Sequence, residues 1–571
     1  MTMKKLIAVA TLVSASCTAL AQGLTPSQKD ADFRYLASLY STYYAPLDWK
    51  KQLFGFDALN IQPWLDRVAK TTTDLDFYEL CVEYVSSLND THDAFFLPSD
   101  FVASLGFSGD IYDGVVLIDS INRAVLPVAT YPFTIGDELV SVDGAAVSQL
   151  LQDFAKYGRQ GNPVSTSRLA AARITVRPQS RMPHASDLGD TATVVIRRQN
   201  GDLETYTIPW IKTGTPVHVG PVPSPKLVSG QLAVPVASDQ PDYMVELENA
   251  RFSGVLRPED LALNGYGSLA PIFVGGLSVP SLKFTRRLGN PMTDLFYSGT
   301  FQYEELTIGY IRIPSYAPIS QPAALQQLEK EIAFMNANTD GLIVDEMRNP
   351  GGNLCYGQEV ARRLTPYPFQ ATGFALRPFW TRVLGFYNSL VAARASNAPL
   401  DVIEQYEQDY NEMLAANQQG RLVTKPLPLC SASLTRTPAV DKFGNVIAYA
   451  NPLVMLIDEF STSTADSVPS MIQDAQRGLL YGRRSNGAGG NNTSFDAGSY
   501  SEGITGMTLA LQVRSTFIPT ADYPTSNLIE NIGVRPDFED NYMTKNNLLQ
   551  GGFPFLDRLL QHTAYMIRNG R

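Results

Sequence analysis

Between residues 24 and 98 the apolar positions recur every three to four residues. Phe33, Leu36, Leu39 and Tyr40 lie on one stripe, and Leu80, Tyr84 and Leu88 on another. That spacing predicts amphipathic helices. The run ends at Asn89-Asp90-Thr91-His92-Asp93, a polar cluster of turn composition. From about 101 to 215 the pattern changes to short β runs: Val115 to Ile118, Leu139 to Val142, Val194 to Ile196 and Thr205 to Trp210. Residues 158 to 190 interrupt them and read as a polar insertion. Residues 216 to 300 are rich in Pro, Gly and Ser and read as a connecting β segment or cap. Beyond 301, strands and helices alternate. Leu306 to Ile313, Gly341 to Asp345 and Leu453 to Ile457 are apolar strands, and Leu325, Leu328, Ile332 and Met335 mark a helix face. Such alternation predicts an α/β core on a parallel or mixed sheet. A stretch at about 366 to 440, with a polar helical part at 403 to 417, interrupts that core, and 546 to 571 reads as a helical tail.

The first 21 residues have a different texture. Lys4 and Lys5 precede the mostly apolar Leu6 to Val13, and Ala19-Leu20-Ala21 ends the stretch with small residues. That plan predicts a cleaved secretory signal and a periplasmic or secreted product. Lipidation at Cys17 ranks lower, because Val13 lies one place too far upstream. No later run of about 18 apolar residues predicts a membrane span. A net charge of −11 argues against nucleic acid or an anionic membrane as partner. Of four cysteines, Cys81, Cys355 and Cys430 lie beyond the signal, so at most one internal disulfide can form. No Cys-X-X-Cys, His-Glu-X-X-His or phosphate-cradling glycine loop occurs, so no metal or organic cofactor is expected. Nothing in the pattern bears on oligomeric state.

Two turns carry candidate chemistry. In Arg348-Asn349-Pro350-Gly351-Gly352-Asn353, paired glycines after a strand allow backbone N–H groups to face a ligand, although they also make an ordinary strand-to-helix turn. In Asp458-Glu459-Phe460-Ser461-Thr462-Ser463-Thr464-Ala465-Asp466, hydroxyls stand where a helix N-terminus favours developing negative charge. Such residues also serve simply as helix caps.

In combination the motifs resemble the C-terminal processing (tail-specific) serine peptidase family. The resemblance runs through Asp345, Asn349, Pro350, Gly351 and Gly352, then Ser461 to Asp466. Gln473-Asp474-Ala475-Gln476-Arg477-Gly478 and the glycine-marked turn Gly482 to Gly489 follow in the family's order. Ile135-Gly136-Asp137 through Asp143-Gly144 resembles a PDZ domain, and Ser104-Leu105-Gly106-Phe107 its carboxylate-binding loop. The resemblance implies a crotonase-like or Clp-like α/β core at 301–545 behind a PDZ-like domain at 101–215 and a helical segment at 22–100. It also implies an acyl-enzyme mechanism with Ser463 as nucleophile, Ser461 and Ser467 being weaker candidates.

Two positions depart from the family. Met347 stands where it has arginine, and Ala488 where it has the general-base lysine. A branch typified by tricorn protease and chlamydial protease-like activity factor lacks that lysine too. Its Leu-X-Asp-X-His and Glu-Asn-X-Gly-Val-X-Pro-Asp turns resemble Leu88 to His92 and Glu530 to Asp537. This implies His92 as base and then acid, and Glu530 as the carboxylate that orients it, with Glu459 and Asp466 as alternatives near Ser463. For the oxyanion hole it implies N–H groups of Gly351 or Gly352 and of Thr464. The expected partner is a protein or peptide substrate. A non-catalytic PDZ-type peptide-binding scaffold, motivated by Ala488, is the main alternative. An acyl-transferring enzyme, suggested only by the shared fold, ranks last.

Overall fold

A computed structural model describes residues 23–217, 283–290 and 293–569. The expected signal, His218 and most of the 216–300 segment lie outside the described residues. The helical N-terminal pattern takes shape as four helices: Pro26–Tyr43, Leu47–Phe54, Gln62–Val68 and Asp74–Ser86. Thr25 and Thr73 cap the first and last through reciprocal side-chain and backbone hydrogen bonds. Their apolar stripes meet in one cluster around Phe33, Leu36, Tyr40, Leu80, Tyr84 and Leu88.

The β region folds into a sheet whose strands run Phe107–Tyr112, Val115–Ile121, Glu138–Val142, Thr191–Arg197 and Leu203–Pro209, antiparallel throughout. The stretch read as a polar insertion is instead built into this unit. Its helix Pro163–Thr175 buries Arg168, Ala170, Ala171 and Ile174, and its strand Val176–Pro178 pairs with Val102–Ser104. Polar composition misled here because Arg168 and Ser165 are buried against Asp110 and Glu459.

The core is a seven-stranded sheet. From Leu306–Arg312 it runs parallel through Gly341–Asp345, Leu453–Ile457, Leu479–Gly482 and Phe538–Glu539. Two antiparallel strands extend its other edge: Phe284–Leu288, within the stretch expected to be a connecting β segment or cap, and Tyr297–Tyr303, which crosses the end of that stretch. Helices Gln321–Asn338, Leu354–Leu364 and Thr464–Asp474 contribute to one cluster against the sheet. On the other side, the C-terminal helix Phe553–Asn569 packs Phe555, Leu556, Leu559 and Leu560 with Tyr310, Ile343 and Val454. A fully buried strand sandwiched in this way reads as an unbroken apolar run.

The 15-residue strand Ile504–Ile518 organises a second sheet. It pairs with Phe95–Phe96 of the N-terminal segment and with Gly373–Leu376 of the 366–440 stretch. That stretch carries the helices Trp380–Ala395 and Leu400–Gln418. A disulfide between Cys355 and Cys430 ties it to the helix after the paired glycines, and Cys81 is a buried free thiol.

Candidate peptidase site

Ser463 caps the helix Thr464–Asp474 with φ 59° and ψ −109°, a left-handed backbone that a serine adopts only when its surroundings impose it. Two contacts do so here. Asp466 Oδ2 accepts the Ser463 N–H at 2.7 Å. On the other side lies Gly351, with φ +88°. A Cβ there would sit 2.8 Å from Ser463 Cβ and 3.0 Å from Thr464 N, so only glycine fits. The neighbouring hydroxyls are fully buried and engaged: Ser461 Oγ donates to Glu346 O at 2.8 Å, and Ser467 Oγ to Gln512 Oε1 at 2.5 Å. Ser463 is the partly exposed member of the three.

The glycine turn is fixed from behind. Asn349 Oδ1 accepts the Gly351 N–H at 2.8 Å, and Asn349 O accepts the Thr462 N–H at 2.9 Å. Thr464 Oγ1 donates to Gly352 O at 2.7 Å, which brings the Gly352 peptide against the start of the helix Thr464–Asp474. Met347, where arginine was expected, is buried in the core. Asp345 is served instead by Arg312 from the adjacent strand, whose Nη1 lies 2.6 Å from Asp345 Oδ2.

The turn Ser485–Gly489 joins the remaining pieces. Asp466 Oδ1 accepts from the Ser485 hydroxyl and from Gly487 N at 2.8 Å, and Oδ2 accepts from Ala488 N at 3.0 Å. Position 488 therefore shares a carboxylate oxygen with the Ser463 N–H, and its methyl group is fully buried. One residue on, the Gly489 N–H donates to Glu530 Oε2 at 3.0 Å. Asn486 accepts from the hydroxyl of Thr91, next to His92.

His92 is 8% exposed. Its N–H donates to Asp90 Oδ1 at 2.9 Å, which holds the turn, and its ring Nδ1 is buried without a hydrogen-bond partner. Burial lowers its pKa from the usual 6.5, while Asp90 opposes the change and Lys50 adds to it. Glu530 is fully buried, and its pKa is pushed up to about 8 by burial and by Asp90, against the pull of Lys50. Its Oε1 meets Lys50 Nζ. Of the other carboxylates, Asp466 is raised to about 6 by burial, with its four donors holding it lower than burial alone would. Glu459 pairs instead with Arg168 at 2.8 Å and is turned away into a buried network with Asp110 and Tyr542. His184 bonds Asp187, and His562 packs its ring on Phe538, so neither joins the site.

Lys50 and Asp466 are the polar groups of the site whose roles were not evident beforehand. Asp466 carries a signal, an acid three residues after a hydroxyl cap. Lys50 carries none, since Lys50-Lys51 reads as a solvated pair. In the PDZ-like unit, the Leu105 N–H donates to Thr175 O at 2.9 Å and the Gly106 N–H to Ser104 Oγ at 3.1 Å. Two donors of the expected carboxylate loop are thus already engaged. Among the described residues no helix is long and apolar enough to cross a membrane, and no group of three or more His, Cys, Asp or Glu could hold a metal ion.

With this geometry in view, residues 307–540 match peptidase family S41 and residues 102–217 match a PDZ domain. The S41 match, lying behind the PDZ match, supports a serine-type peptidase. It is 23% identical over 595 residues to a protein of Chlamydia trachomatis serovar D, covering 94% of this chain and 92% of that one. The fold superposes on mature CPAF with a TM-score of 0.74 at 20% identity, covering 95% of this chain and 98% of that chain. Mature CPAF complexed with lactacystin gives 0.73 at 21% identity, with 95% and 99% covered.

Proposed function

We propose that this chain is an exported serine endopeptidase in which Ser463 attacks the peptide carbonyl, His92 serves as base and then acid, and Glu530 orients His92. The observation that carries the reading is the strained Ser463 at a helix N-terminus, wedged against Gly351 and held by Asp466. A serine hydroxyl is a poor nucleophile without a base, and a buried imidazole with a lowered pKa stays neutral and able to accept its proton. Of the three candidate oxyanion donors, Gly351 already gives its N–H to Asn349, which favours Gly352 with Thr464. The substrate class is protein or peptide.

The test is labelling of the purified chain by a fluorophosphonate, followed by peptide mapping. Ser463 should be modified, and Ser463→Ala and His92→Ala should each abolish reaction while the thermal transition persists. A folded wild-type chain that never reacts sinks the reading and returns the protein to a peptide-binding scaffold. That alternative is disfavoured by the engaged Leu105 and Gly106 donors. Export rests on the Lys4 to Ala21 pattern, and N-terminal sequencing of protein recovered outside the cytoplasm should begin at Gln22.

A further inference from the structure

Lys50 lies on the short helix Leu47–Phe54 and is 1% exposed. An ammonium has three donors and no acceptor. Here they meet Glu530 Oε1, Asn531 Oδ1 at 2.8 Å and Asn89 O at 3.1 Å, with Asp90 Oδ2 at 3.8 Å. Every one of these groups belongs to the two turns that carry His92 and Glu530. Asn89 and Asn531 are themselves left-handed, at φ 50° and 62°, and Asn531 Nδ2 also donates to Asn89 O at 2.7 Å. The preceding residue, Trp49, donates its indole N–H to Glu530 O at 3.1 Å. One helix thus grips Glu530 by backbone and carboxylate together.

We propose that Lys50 is a positioning residue of the peptidase site, its ammonium fixing the Glu530 carboxylate and locking the His92 turn to it. This rests on the roles given above to His92 and Glu530. A buried ion pair is weak evidence of a stabilising role, since apolar residues of similar volume usually serve the fold as well or better. What apolar residues cannot supply is a cation between two fully buried carboxylates. Asp90 faces Lys50 from the histidine turn, Tyr44 donates to Asp90 Oδ2 at 2.9 Å, and Glu530 faces Lys50 from the late turn. Asp93, whose pKa burial raises well above the usual carboxylate range, lies in the same cluster, and of these groups Arg484 touches only the carbonyl of Asn531, at 3.1 Å. Without Lys50, the carboxylates would repel, and Glu530, already raised to about 8, would hold its proton to still higher pH. His92 Nδ1 has no hydrogen-bond partner in the structure, and a Glu530 that keeps its proton offers no ionised acceptor toward which the imidazole N–H could turn.

The experiment measures the rate of fluorophosphonate labelling of the full chain against pH for wild type, Lys50→Met, Lys50→Arg and Glu530→Gln. Lys50→Met should keep a cooperative thermal transition, label at least 10-fold more slowly at neutral pH, and reach its plateau at higher pH than wild type. Lys50→Arg, which keeps a cation in the cleft, should recover most of the rate. Adding Lys50→Met to Glu530→Gln should cause no further loss, because Lys50 acts through that carboxylate. Wild-type rate and profile in Lys50→Met would overturn the proposal. So would a multiplicative loss in the double variant, or the disappearance of the thermal transition in Lys50→Met. If Glu530→Gln itself labels at the wild-type rate, the underlying assignment of Glu530 fails instead.

Discussion

Asp466→Asn separates what this carboxylate does for the fold from what it does for the nucleophile. Its two oxygens take four donors: the N–H groups of Ser463, Gly487 and Ala488 and the hydroxyl of Ser485. An asparagine keeps the shape but turns one oxygen into a donor. The amide nitrogen is best accommodated toward Ser485, whose hydroxyl can rotate to accept. The Gly487 N–H is then left unsatisfied, at a cost of about 1–3 kcal/mol. Against this stands the relief of a buried charge. Moving the pKa from 3.8 to about 6 is roughly two units, or about 3 kcal/mol in favour of the neutral form. The two effects nearly cancel, so urea unfolding near pH 7 should show a net change within about 2 kcal/mol.

The pH dependence follows from the same shift. A folded-state pKa above the unfolded value stabilises the chain fully below about pH 4, and that contribution is lost as pH rises through about 6. The stability difference should therefore move in favour of the variant by about 3 kcal/mol between about pH 4 and about pH 8. Labelling of Ser463 should nevertheless fall about 10-fold or more. The charge-assisted bond that holds Ser463 in its left-handed conformation is weakened, and a non-glycine residue there stores about 1–3 kcal/mol of strain. A variant that labels at the wild-type rate refutes the role of Asp466 in holding the nucleophile. One that loses more than about 4 kcal/mol refutes the cancellation.

Three further outcomes can be measured independently. Arg168→Met leaves the half-buried Asp110 and the buried Glu459 without their main cation, and should lower unfolding stability by about 3–5 kcal/mol in urea titrations. Cys355→Ser opens a cross-link between residues 75 apart, for which loop-closure entropy predicts a loss of about 4 kcal/mol, abolished when wild type is measured under reductant. Because burial lowers the pKa of His92, the acid limb of Ser463 labelling should have its midpoint below 6.5, and a midpoint above that value would contradict His92 as the base.

Legibility in the sequence tracked whether a feature is made by neighbours in the chain. The apolar runs at 341–345 and 453–457 became fully buried parallel strands, as their lack of alternation implied. The helical spacing from Phe33 to Leu88 became four packed helices for the same local reason. The 216–300 stretch was read as a connecting β segment or cap, but that Phe284–Leu288 and Tyr297–Tyr303 extend the core sheet was not legible, because their burial comes from pairing and from Tyr310, far from any local pattern. The helix Pro163–Thr175 was misread because Arg168 and Ser165 are polar yet buried. Their partners, Asp110 and Glu459, lie 58 and about 300 residues away. In the site, the serine and glycine turns were visible as motifs, whereas Lys50 becomes meaningful only when the first helices fold against residue 530.

That last contact bears on how the site tolerates Ala488. The position that holds the family's lysine has its backbone N–H on Asp466 and its methyl group fully buried, next to the turn that reaches Glu530 through Gly489. If His92 is the base, as proposed, the catalytic apparatus depends on docking of residues 26–96 onto the core. That docking is made by Tyr40 on Thr505, by the strand Phe95–Phe96 on Ile504–Ile518, by Trp49 and Lys50 on Glu530, and by Thr91 on Asn486. A lysine at 488 would supply a base from within the core and make the helices dispensable for chemistry. A base at His92 would make them part of the site. Losing any of these contacts should therefore impair reaction at Ser463 before it unfolds the seven-stranded sheet, whose own core contains none of them.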